Sequence, residues 1–138
     1  MDLLTPIEMS FLVKITISLI ISFILGWERE GRGKDAGTST HFFVIAGAML
    51  FTLLSVYMDP NEPARIAANV VVGVGFLGAG IILHKKAGHI TNLTTAASMW
   101  FSAALGMAIG FGWYIPALMG TVFSLLVTLV PRFPAFKQ

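Results

Sequence analysis

Polar and apolar positions sort the chain into five long apolar segments, 7–26, 42–58, 66–83, 94–109 and 113–130, separated by short stretches that hold nearly all of the charge. Each segment is near the lower end of what a helix needs to cross about 30 Å of hydrocarbon at a rise of about 1.5 Å per residue. Lipid offers backbone N–H and C=O groups no partner, and the segments lack a period of two, so helices are predicted rather than barrel strands. The prolines respect these borders. Pro6, Pro60, Pro63, Pro131 and Pro134 fall at or beyond segment ends, and Pro116 falls in a first helical turn, where it is tolerated. The pattern predicts an all-α, polytopic transmembrane bundle of five spans, with residues 1–138 forming a single domain.

Composition narrows the class further: with 56% of 138 residues apolar and only 12% charged, a soluble domain could not hide the apolar surface. A soluble enzyme is therefore excluded, and the net charge of +2 gives no reason to expect a nucleic-acid partner. The absence of cysteine removes disulfides and thiolate metal ligands. Residues 1–10 lack a basic leader region, so no cleavable signal is expected.

The basic residues set an orientation. Arg29, Arg32 and Lys34 follow the first span, Lys85 and Lys86 follow the third, and Arg132 and Lys137 lie in the tail, against Arg65 alone on the opposite side. The positive-inside rule then places the N-terminus outside and the C-terminus in the cytoplasm. Lys14, inside the first apolar segment, is expected to extend its ammonium outward past the segment's start.

Small residues show where helices can meet. Ser98, Ser102, Gly106 and Gly110 recur every fourth position in the fourth span, and Ser18, Ser22 and Gly26 do so in the first. In the third span Gly73, Gly75, Gly78 and Gly80 are too dense for one face, which implies close packing or a local irregularity lining a pathway. Asn69, the strongly polar residue well inside that span, is expected to hydrogen-bond across helices. Stretches 34–40 and 86–95 share a basic loop, an Ala-Gly pair and opening threonines, a faint internal duplication.

The densest polar cluster runs from Glu28 through Arg29, Glu30 and Arg32 to Asp35. Glu28 and Arg32 are four apart and can pair on a continued helical turn. Thr38, Ser39 and Thr40, and likewise Thr91, Asn92, Thr94 and Thr95, are suited to cap the second and fourth helices. Two helix N-termini at one face could also approach the acidic cluster or an anion. His41, His84 and His89 lack metal-site spacing, and no nucleophile, base and acid set or phosphate loop is present, so neither a metal nor a cofactor nor enzyme activity is expected.

The run Gly26-Trp27-Glu28-Arg29-Glu30, then Ala36-Gly37 with Thr40-His41, then GVGFLGAGII over 73–82 and LTTAASMW over 93–100, resembles the MgtC/SapB family of bacterial and archaeal membrane proteins. Ser39 and Asn92 stand where that family usually has arginine and glycine, and the chain ends at Gln138, before the soluble C-terminal domain of longer members. The resemblance implies a multispanning inner-membrane protein linked to magnesium limitation, acid stress and, in pathogens, survival inside macrophages. Members are often named magnesium transporters, yet the best-known one looks like a regulator of other membrane machines, including the ATP synthase.

The reading that results is a regulator working by contact with other membrane proteins, with Glu28, Arg29, Glu30, Arg32, Thr40, His41, Asn92, Thr94 and Thr95 as its cytoplasmic surface. Gly75, Gly78, Gly80, Ser98, Ser102, Gly106 and Gly110 serve helix packing, within the chain or across a homodimer. The alternatives are a magnesium, other ion or small-solute transporter and a self-associating scaffold. Against transport, Glu8 at an outer end is the one carboxylate within the apolar segments.

Overall fold

Local signals in the chain start and stop each helix. In the computed structural model, which describes residues 4–83 and 92–129, Thr5 caps α1 (Pro6–Gly31) through a capping box. Its backbone N–H donates to Glu8 Oε2 at 2.6 Å, while Glu8 N–H donates to Thr5 Oγ1 at 3.3 Å. Pro6 follows at the first helical position, where its missing N–H is no loss. The other helices are α2 (Thr38–Met58), α3 (Ala64–Leu83), α4 (Leu93–Gly110) and α5 (Tyr114–Leu129), and the described residues contain no strand. The five helices expected from the apolar pattern are present. The first runs five residues past the expected border at Gly26, because the Glu28 to Arg32 spacing favours a further helical turn.

Turn chemistry sets the path between helices. α1 stops at Arg32, and Gly33 takes φ +62°, a left-handed conformation that glycine adopts without a Cβ penalty. Between α2 and α3, the Ser55 hydroxyl donates to Pro63 O at 2.6 Å and accepts from Ile66 N–H at 3.2 Å, which ties the end of one helix to the start of the next. α4 ends at Phe111, followed by Gly112 at φ +80°, whose N–H donates to Ile109 O at 2.9 Å.

α2 is central and packs against α4, α1 and α3, with α5 laid against α4 and α1. Ile45, Met49, Met99 and Ile109 are fully buried where these helices meet. Large apolar side chains such as Phe43, Phe76 and Val127 face outward instead, the distribution of a bundle whose solvent is lipid. α1 to α4 are long and apolar enough to cross a membrane, whereas α5 is a shorter apolar helix of 16 residues.

Several expectations need correction. Lys14 does not reach outward: it is buried, and its Nζ donates to Gly110 O at 2.6 Å. The C-terminal carbonyl of α4 supplies an acceptor that lipid lacks. Asn69 is exposed and donates to Arg65 O of its own helix at 3.0 Å rather than across helices. A Cβ built on Gly73, Gly75 or Gly80 would have no described residue within 4 Å, and one built on Gly78 would rest at 3.8 Å against the Ala96 methyl, so among the described residues only Gly78 of these faces another helix.

Candidate functional site

Two rows of small and polar residues, one on α1 and one on α4, flank α2 and are joined to each other at their ends. On α1 the row is Lys14, Ser18, Ser22, Gly26 and Arg29, all buried. On α4 it is Thr95, Ser98, Ser102, Gly106 and Gly110, buried except for the half-buried Ser98. Each row advances by three or four residues and so follows one helical face. A basic side chain ties each end: Lys14 holds Gly110, and Arg29 Nη2 donates to Thr95 Oγ1 at 2.6 Å. The two anchors are fifteen residues apart on each helix, which makes the helices antiparallel and in step over about 22 Å.

α2 packs into the same seam, parallel to α4. His41, 2% exposed, places Nδ1 2.9 Å from Ser102 Oγ. One turn on, a methyl added to Gly106 would overlap the Ile45 carbonyl and press on the Ala48 methyl at 2.9 Å, and one at Gly110 would meet Thr52 Cβ. Gly26 fulfils the same need on α1, since a Cβ there would overlap the backbone of Thr38. These three glycines permit backbone approach that no larger residue would allow.

The Glu28 end of the seam is a network with each side chain in a different task. Glu28 Oε1 lies 2.6 Å from Arg32 Nε, the expected pairing one turn apart. Arg29, between them in sequence, points the other way and is only 4% exposed. Glu30 turns toward α2, where Oε1 accepts from Thr38 N–H at 2.7 Å. This carboxylate therefore caps α2, where negative charge is favoured by the free N–H groups and the helix dipole. Thr38 begins the helix instead of capping it, Ser39 and Thr40 are exposed, and the N-cap position belongs to Gly37, which makes no side-chain cap. A Cβ on Gly37 would run into the Glu30 carboxylate, so the cap requires glycine there.

At the start of α4, Asn92 occupies the N-cap position at φ +63° without a side-chain cap. It donates instead from Nδ2 to Asp35 Oδ2 at 2.6 Å, joining α4 to the α1–α2 connection. Two helix starts thus approach the acidic cluster, one through Glu30 and one through Asp35. Thr94 is exposed, and Thr95 serves Arg29 rather than the helix cap. Thr91, His84, His89 and most of the second duplicated stretch lie outside the described residues.

The structure brings Arg29, Thr95, His41 and Ser102 into one buried seam and leaves Arg32, Thr40 and Thr94 at its rim. Sequence reasoning missed Lys14 as a member, although it lies on the same four-residue row as Ser18, Ser22 and Gly26. It gave the approach of a helix start to the acidic cluster as one alternative, and the structure shows that contact at Glu30, by way of the turn through Gly33.

The MgtC family profile matches residues 15–134, a range that includes all of the seam except Lys14. The chain belongs to the MgtC family. "Putative magnesium transporter YhiD" of Escherichia coli K12 is 42% identical over 126 residues, covering 85% of this chain and 58% of that protein. "Protein MgtC" of Salmonella typhimurium is 35% identical over 122 residues, covering 88% of the chain and 52% of that protein. An uncharacterized Haemophilus influenzae protein is 36% identical over 134 residues, covering 90% and 56%. The chain therefore spans a little over half the length of the curated relatives it matches. No solved structure matches it. As an MgtC family member with four helices able to cross a bilayer, it is a multi-pass membrane protein.

Proposed function

We propose that this MgtC family member regulates other membrane proteins in adaptation to magnesium limitation or acid stress, and does so by contact rather than by moving an ion. The observation that carries this reading is the sign of the charge inside the bundle. Its buried ionic side chains are Lys14 and Arg29, both basic, and no carboxylate lies within ion-pair distance of either among the described residues. A divalent cation passing along the seam would meet like charge in a medium of low dielectric, where repulsion is least screened. Near the seam, Glu28 is engaged by Arg32, Glu30 by α2 and Asp35 by Asn92. α3 runs as an unbroken helix through Gly73, Gly75 and Gly78, so their carbonyls remain engaged within the helix.

In this reading the N-terminus is outside, the Glu28 end faces the cytoplasm of a cell whose inner membrane holds the protein, and partners contact the rim formed by Arg32, Thr40 and Thr94. The rival reading, a magnesium transporter, rests on the name carried by YhiD. Magnesium flux into proteoliposomes separates the two. No flux above protein-free vesicles is expected, and saturable magnesium uptake overturns the proposal. The rim is tested in a host lacking its own homologue. Glu28→Gln is expected to insert and accumulate near normally yet fail to rescue growth in low magnesium or acid. Full rescue by Glu28→Gln, Glu30→Gln and the double variant would reduce the cluster to a membrane anchor.

A further inference from the structure

Beside the Glu28 end of the seam, α5 closes over a small cleft lined by Glu28, Arg29, His41, Ser98, Ser124 and Thr128. Three buried polar atoms there have no hydrogen-bond partner among the described residues: Arg29 Nε, His41 Nε2 and Glu28 Oε1. Glu28 Oε1 is close to Arg32 Nε, but that ionic contact is not aligned as a hydrogen bond, so the oxygen can still accept one. Arg29 and His41 are 4% and 2% exposed, so bulk solvent does not satisfy them. Buried donors left unpaired are costly enough that native proteins almost always supply a partner, from protein or from ordered water.

The proton on His41 follows from its other contact. Ser102 Oγ has His41 Nδ1 as its hydrogen-bond partner among the described residues. If Nδ1 carried the proton, the Ser102 hydroxyl hydrogen would have no acceptor. Ser102 therefore donates to a bare Nδ1, and the imidazole proton sits on Nε2, facing the cleft. The residues that line the cleft then offer two N–H donors, from Arg29 and His41, and one acceptor, Glu28 Oε1.

We infer that a single ordered water occupies this cleft, accepting from Arg29 Nε–H and His41 Nε2–H and donating to Glu28 Oε1 and to a hydroxyl oxygen of α5. Size and charge favour water over other occupants. The cavity leaves about 10 Å³ for the centre of a water, enough to hold one. A small anion would suit the two N–H donors but would face the Glu28 carboxylate oxygen. The water completes a chain of polar contacts, Arg32, Glu28, water, His41 and Ser102, from the exposed rim to the middle of α4. The inference does not depend on the regulatory reading above.

Solid-state NMR of the ¹⁵N-labelled protein in lipid bilayers at neutral pH tests this, using His84→Gln and His89→Gln so that His41 alone reports. His41 is expected to be protonated at Nε2 and bare at Nδ1, with water cross-peaks at its Hε2 and at Arg29 Hε. Any other protonation pattern, or the absence of both water contacts, overturns the inference. So does a shift of Arg29 Hε when chloride is exchanged for bromide, which would identify an anion. His41→Asn, which removes the Nε2 donor, is expected to abolish the water cross-peak at Arg29 Hε; its persistence at full intensity would count against the shared water.

Discussion

Adding one methyl group at Gly106 tests whether backbone contact between α2 and α4 holds the bundle together. In an open helical position alanine is favoured over glycine by about 0.5–1 kcal/mol, because glycine loses more backbone freedom on folding. Gly47 is such a position, with nothing within 4 Å of a built Cβ, so Gly47→Ala is expected to stabilise by that amount. At Gly106 the same methyl would overlap the Ile45 carbonyl oxygen and crowd the Ala48 methyl at 2.9 Å. Neither obstacle is the end of a flexible side chain, so the helices themselves must part. Overpacking of this kind costs roughly 1–3 kcal/mol, with backbone obstacles toward the upper end. After the propensity gain, Gly106→Ala is expected to lose about 1–2 kcal/mol, roughly 2–3 kcal/mol below Gly47→Ala. Reversible thermal or denaturant unfolding of the two purified variants in one detergent measures this difference directly. A Gly106→Ala protein as stable as Gly47→Ala would refute the reasoning, since it would mean that α2 and α4 are not in backbone contact.

Glu30→Ala removes the charged cap of α2 and is expected to cost about 0.5–2 kcal/mol in the same unfolding assay, with Glu30→Gln losing less because its amide oxygen can still accept from Thr38; unchanged stability in Glu30→Ala would show that α2 does not need the cap. The proposed orientation can be read with single cysteines, since the chain has none of its own. Asn61→Cys is expected to react with an impermeant reagent added outside intact cells and Gly31→Cys only after the membrane is opened, and the reverse pattern would invert the topology.

The apolar pattern revealed the five helices because hydrocarbon imposes a length and leaves the backbone no alternative. It was less informative about the seam. The spacing of Ser98, Ser102, Gly106 and Gly110 indicated a face for close approach, but which helix lies against it depends on pairings such as His41 with Ser102, 61 residues apart. Lys14 was misread because a lone lysine near a span's end ordinarily finds water. Here the carbonyl end of α4 lies closer, at the level set by Arg29 and Thr95 at the far end. The threonines at the helix starts were read as caps by residue type alone. Glu30 takes that task at α2 only because the chain reverses through Gly33 and Gly37, a geometry that no local pattern encodes.

The equal intervals between the two anchors constrain how the chain can change in length. One residue inserted in α1 between Lys14 and Arg29 would rotate everything beyond it by about 100° and displace it by about 1.5 Å. Arg29 or Lys14 would then face a neighbour other than its own, and a buried cation would be stranded in hydrocarbon. Length changes inside α1 would have to be matched by compensating changes inside α4. The largely exposed turn 59–63 lies outside this constraint, so insertions and deletions are expected to accumulate there while the anchored helices keep a fixed residue count.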